Sequence, residues 1–92
     1  MARLSDEEIE RRLQAESGWE RDGDAIRKDF KADDFKGSVN LVNRLMPVAE
    51  AMNHHPDLAI SWDTVTVTIT THSEGGLTEN DFDLAARIDA LG

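Results

Sequence analysis

A chain of 92 residues with 10 Lys and Arg against 19 Asp and Glu carries a net charge of −9. That length suits one domain, residues 1–92, with one two-layer core, and the acidity disfavours direct nucleic-acid binding, which rests on clustered Lys and Arg. The absence of cysteine leaves no disulfide framework and no thiolate metal site, and no apolar run or basic leader marks a membrane span or signal peptide, so a cytoplasmic, soluble protein that touches no membrane is expected.

Residues 4–9, LSDEEI, read as a helix start. Ser5 caps, Glu8 completes a capping box and Leu4 staples onto Ile9. Ile9 and Leu13 supply the stripe, and Gly18, after Ser17, is the expected stop. Asp22-Gly23 then predicts a two-residue type I′ hairpin turn between Trp19 and the strand over Ile26 to Phe30.

A long helix is predicted over about residues 33–53, with Asp33 or Asp34 as its cap. Phe35, Val39, Val42, Met46 and Ala49 form one apolar stripe, and Leu41, Leu45, Val48 and Met52 form a second beside it. So wide a face exceeds what one sheet contact needs and points to a subunit interface in a homodimer or homotetramer. Pro47 interrupts the pattern and should kink the rod.

After Pro56 the chain turns extended. Leu58, Ile60 and Trp62 share one side of a strand, which a turn near Asp63-Thr64 folds back. In TVTVTITTH, Val65, Val67 and Ile69 face the core and the threonines face away, so that His72 falls on the threonine face. The last helix opens on a capping box of Thr78 and Asp81, a Leu77–Phe82 staple, and a stripe of Leu84, Ile88 and Leu91. The sum is an α+β fold: a four-stranded antiparallel sheet covered on one face by three helices, in the order α-β-β-α-β-β-α.

Folding the second hairpin returns His72 to the neighbourhood of His54 and His55, and Glu50 stands at i,i+4 from His54. Because a residue before proline is pushed out of the α region, His55 is expected as the first residue off the helix. Asp81 opens the next helix close by. Three readings fit this spacing. The histidines serve helix termination, where a cationic ring suits a C-terminus; or Glu50 and histidines hold zinc, although no HExxH-like spacing supports it; or they are acid/base groups, since imidazole titrates near neutral pH and carboxylates fix its tautomer.

The run Glu50, His54-His55-Pro56, Trp62, His72 and Asp81 resembles the signature of the pterin-4a-carbinolamine dehydratases (4a-hydroxytetrahydrobiopterin dehydratases), and GGLTENDFDLAARID and GWER resemble that family's C-terminal helix entry and early Trp segment. The resemblance covers about residues 3–90 and implies the same α+β fold. It implies a lyase that converts 4a-hydroxytetrahydropterin to quinonoid dihydropterin plus water, in tetrahydrobiopterin recycling, with no metal and no cofactor. His54, His55 and His72 carry over as the acid/base and pterin-binding set, His54 and His72 as the proton-transfer pair, and Glu50 and Asp81 as carboxylates that orient them. Main-chain groups around Pro56 and along Thr71, His72 and Ser73 become partners for the pterin's amide edge, Trp19 flanks the ring, and Trp62 packs in the core. Pro47 departs from the family pattern. The resemblance also holds a second class of role open, because relatives serve as dimerisation cofactors of a homeodomain transcription factor or as assembly factors of a carbon-fixing enzyme. The intact histidine set favours the enzyme.

Overall fold

The structure, a computed structural model, describes residues 2–91. The elements are α1 (Asp6–Ala15), β1 (Glu20–Asp22), β2 (Ala25–Lys31), α2 (Phe35–Met52), β3 (Asp57–Ser61), β4 (Thr64–Ile69) and α3 (Glu79–Asp89), with a 3-10 turn over His72–Glu74. The strands pair antiparallel in the order β1-β2-β4-β3, so the α+β architecture is the one expected. Central β4 carries the alternation that fixes the layers. Val65, Val67 and Ile69 are fully buried with Ile26 of β2, against Ile9, Leu45, Leu84 and Ile88 of the helices. Each such side chain contributes roughly 1.5–3 kcal/mol by leaving water. The threonines face the other way, and Thr66 donates to Asp29 across the strands at 2.7 Å.

Helix ends follow the caps. The Ser5 hydroxyl accepts from Glu8 N–H at 3.2 Å, but the Glu8 carboxylate turns to Arg11 and Arg12 instead of closing a capping box. Asp34 caps α2, taking Gly37 N–H at 2.8 Å. Ser38, fully buried, donates to the Trp62 carbonyl at 2.7 Å and so pins the first turn of α2 to the β3–β4 turn.

Several expectations shift in detail. α1 stops at Ala15, and Gly18 instead makes the bend into β1 at φ +92°, where a Cβ would lie 2.8 Å from Lys28 Cε. The first hairpin pairs Asp22 with Ala25, so its turn is Gly23-Asp24. With φ positive at Gly23 alone, it has the type II′ pattern, which asks for glycine at the first position only. The second pairs Ser61 with Thr64, which places Trp62-Asp63 at the turn. Trp62 is therefore not a core residue. It is 66% exposed and left-handed at φ 48°. β3 is an edge strand, exposed along its whole length. In α2 the core line is Ser38, Leu41, Leu45 and Ala49, while Phe35 and Met46 of the first stripe are each 56% exposed. The helix runs unbroken through Pro47.

Candidate active site

Three chain ends meet at one end of the sheet: the C-terminus of α2, the exit of β4 and the N-terminus of α3. Where α2 stops decides how its histidines point. Asn53 takes a left-handed conformation, φ 49° and ψ 42°. Its N–H donates to the Glu50 carbonyl at 3.1 Å and that of His54 to the Ala49 carbonyl at 3.1 Å. These two bonds form a Schellman motif. The helix ends at Met52, close to the end expected near residue 53, but the first residue off it is the left-handed Asn53 and not His55, so His54 is already outside it.

The left-handed step turns His54 inward to Asp81 of α3 and leaves His55 out on the surface. His54 Nε2 lies 2.6 Å from Asp81 Oδ1, with the histidine side chain 12% exposed and the aspartate wholly buried. Glu50, expected opposite His54, pairs with His55 instead, at 2.5 Å, and both of those side chains are more than half exposed. The i,i+4 geometry behind the expectation needs unbroken helix through the second residue, and Asn53 breaks it.

Asp81 is the hub. Its Oδ1 faces His54, and its Oδ2 accepts from the Thr71 hydroxyl at 2.8 Å and from Thr78 N–H at 2.8 Å, the latter as part of the capping box that starts α3. The two threonine hydroxyls stand 2.9 Å apart. Since a carboxylate only accepts, the ring nitrogen facing it must carry the proton. In a neutral ring this is the Nε2–H tautomer, with the lone pair on Nδ1.

His72 lies on the exposed 3-10 turn that follows β4, beside a cavity of about 280 Å³ lined also by Asp24, Ala25, Thr70, Gly75 and Gly76. Continuing the β3–β4 register, in which Asp57 faces Thr68, brings the His55–Pro56 segment alongside the exit of β4. His72 is on the same end of the sheet, but among the described residues no hydrogen bond or ion pair joins it to His54 or His55. Ser73 is exposed on the same turn and Pro56 is half-buried. Thr71 is not open for main-chain recognition: its N–H and C=O pair with Gly76, and the carbonyl also takes Glu74 N–H. Trp19 is not at this site. It is buried in the core, edge-on to Phe30, and gives its Nε1–H to Asp89 at the opposite end of α3 from Asp81. Among the described residues no three His, Asp or Glu side chains gather closely enough to hold a metal ion. Thr78, expected only as a cap, is also part of this network, and its capping-box spacing to Asp81 is the sequence signal for that place.

Known proteins resemble the chain along nearly its whole length. The model of the family described as pterin 4 alpha carbinolamine dehydratase matches residues 2–91. A protein of Roseiflexus sp. (strain RS-1), provisionally named pterin-4-alpha-carbinolamine dehydratase, is 49% identical over 97% of this chain and 96% of its own length. One of Sulfurisphaera tokodaii with the same provisional name is 44% identical over 99% and 98%. The crystal structure of a transcriptional coactivator/pterin dehydratase from Brucella melitensis superposes with a TM-score of 0.92 at 34% identity, covering 97% of each chain. A pterin dehydratase-like protein described as a RuBisCO assembly factor in the alpha-carboxysome superposes at 0.65 with 22% identity, over 79% of this chain and 84% of that one, a likeness of fold alone. The chain belongs to the pterin 4 alpha carbinolamine dehydratase family.

Proposed function

We propose that the protein dehydrates 4a-hydroxytetrahydropterin to quinonoid dihydropterin. The reaction needs one group to accept the N5 proton as the C4a–N5 double bond forms, and another to give a proton to the departing 4a-hydroxyl, which leaves as water. The observation that carries this reading is the His54–Asp81 pair, in which a buried carboxylate oxygen lies 2.6 Å from Nε2; a neutral ring donating there has its lone pair on Nδ1. His54 is the base in this reading. His72, on the open turn, is the acid, with His55 and Glu50 binding and tuning at the rim. The test is stopped-flow absorbance on chemically generated 4a-hydroxytetrahydropterin. Wild type should accelerate decay, and His54→Ala and His72→Ala should each lose about 10²–10⁴-fold, the usual contribution of a positioned acid or base. A well-folded wild type that leaves the decay rate unchanged would refute it.

A second reading, a role through surfaces, is favoured by one observation. Phe35 and Met46 of α2 and Leu58, Ile60 and Trp62 on and beside the edge strand are exposed. We propose that this strip joins copies of the chain into a homodimer or homotetramer, and sedimentation of a strict monomer at micromolar concentration would exclude that. A non-catalytic coactivator or assembly role is the alternative to catalysis. It requires partner binding that survives His54→Ala.

A further inference from the structure

Asp81 joins more than a histidine to a helix. Oδ1 faces His54, just beyond the Asn53 cap of α2; Oδ2 accepts from Thr71, the residue before His72, and from Thr78 N–H, the start of α3. A hydroxyl has one proton. With Thr71's given to Asp81, the 2.9 Å contact between hydroxyls runs from Thr78 to Thr71. The chain of donors then has one direction and one terminus: Thr78 to Thr71 to Asp81, with His54 donating from the other side. No buried side-chain nitrogen or oxygen among the described residues lacks a partner. The turn itself is fastened elsewhere by backbone bonds: Thr71 to Gly76 within it, and Leu4 N–H to the Leu77 carbonyl at 2.8 Å at its far end. The Thr71 hydroxyl is the side-chain tie between the segment carrying His72 and the carboxylate holding His54.

We infer that Thr71 is a positioning residue: acting through Asp81, its hydroxyl fixes the tautomer and orientation of His54 and holds the His72 turn in register with it. This deepens the dehydratase reading and rests on it for its kinetic readout, but the geometry makes a claim that can be read without turnover. It also reassigns Thr71, expected from sequence among the substrate-binding residues, to a hydroxyl turned inward.

The experiment is long-range ¹H–¹⁵N spectroscopy of the imidazoles in wild type, Thr71→Ser and Thr71→Val. Wild type and Thr71→Ser should show His54 protonated at Nε2 alone, and Thr71→Val should show a mixture of tautomers or an exchange-broadened ring. An unchanged Nε2–H signature in Thr71→Val overturns the inference. Should Thr71→Val not fold, the wild-type hydroxyl proton decides: locked on Asp81 it gives a solvent-protected signal, and free exchange with water overturns the inference. In the dehydration assay Thr71→Val should lower kcat by about 10- to 100-fold, since a misplacement of ~1 Å can cost about 10²-fold, with KM nearly unchanged and Thr71→Ser restoring most of the rate. In an Asp81→Asn background the same substitution should cost no more than about twofold, because the two act as one unit. A loss confined to KM, or a full additional loss in that background, overturns it as a substrate contact would. If wild type catalyses nothing, the dehydratase reading fails and the imidazole spectra alone judge Thr71.

Discussion

His54 and His55 are neighbours in the chain, and each pairs through Nε2 with a carboxylate, yet the two pairs are physically unlike. His54 meets a wholly buried Asp81 that two further donors, the Thr71 hydroxyl and the capping Thr78 N–H, hold in place. His55 meets Glu50 across open surface, where both partners are more than half exposed. In water such a pair is worth about 0–1 kcal/mol and gives up little when broken. In the buried pair, removal of one partner strands polar groups that have no solvent to turn to. One residue of left-handed backbone at Asn53 creates the difference, by turning the first ring inward and the second outward. The same two residue types thus yield one histidine held against a buried carboxylate and one paired across open surface.

The largest effect on stability should come from Asp81→Ala. It leaves Thr78 N–H, the Thr71 hydroxyl and His54 without their acceptor, and urea unfolding should show a loss of roughly 3 kcal/mol. A loss below 1 kcal/mol would mean that the buried hub does not bind its partners together. Asn53→Val attacks the hinge between the pairs. A β-branched residue in the left-handed region costs about 1–2 kcal/mol, and both histidine–carboxylate pairs should loosen, whereas Asn53→Gly should keep near wild-type stability and activity. Equal behaviour of the two variants would contradict the Schellman stop. Glu50→Gln breaks the exposed pair. Thermal unfolding should change by no more than about 0.5 kcal/mol, and a larger loss would show that the outer pair is structural.

The smallest effect lies outside the site. Burial, followed by a hydrogen bond to Asp89 and that residue's negative charge, pushes the Glu16 carboxyl above the usual carboxylate range, with Lys28 opposing. A carboxyl whose folded pKa is raised stabilises the fold below its unfolded pKa, and that contribution is lost as pH rises through the folded value. Glu16→Gln, which keeps a donor for Asp89 at every pH, should therefore match wild type in acid and melt slightly higher near neutral pH. A difference that instead opened as the pH fell would reverse the sign and contradict the burial argument.

The fold was legible in the sequence because its signals are local and redundant. The period-2 run at residues 65–69 fixed β4 and its face, and the Thr78–Asp81 spacing fixed the start of α3. Each hairpin turn fell one residue away from its expected position. At the first, type II′ puts Gly23 at the leading central position, whereas the expected type I′ turn put it at the second; at the second, no propensity argues for a left-handed tryptophan. At the site, the histidines and both carboxylates could be singled out, but their pairing could not. The expectation let Pro56 end the helix, and Asn53 ends it first, which moves Glu50 from His54 to His55. Trp19 was misplaced because an early aromatic says nothing about which end of the sheet it covers, and the bond to Asp89 takes it to the wrong one. Thr71 was named for its neighbourhood, while its inward hydroxyl depends on a contact ten positions away in the chain.

The most direct test of the account is one stopped-flow dehydration series on wild type, His54→Ala and His55→Ala, with kcat and KM separated. His54→Ala should lose about 10²-fold or more in kcat, and His55→Ala should act mainly on KM with a kcat at least roughly tenfold higher than that of His54→Ala. Equal losses of kcat, or a greater loss in His55→Ala, would contradict the claim that burial against Asp81 makes His54 the proton-transfer group.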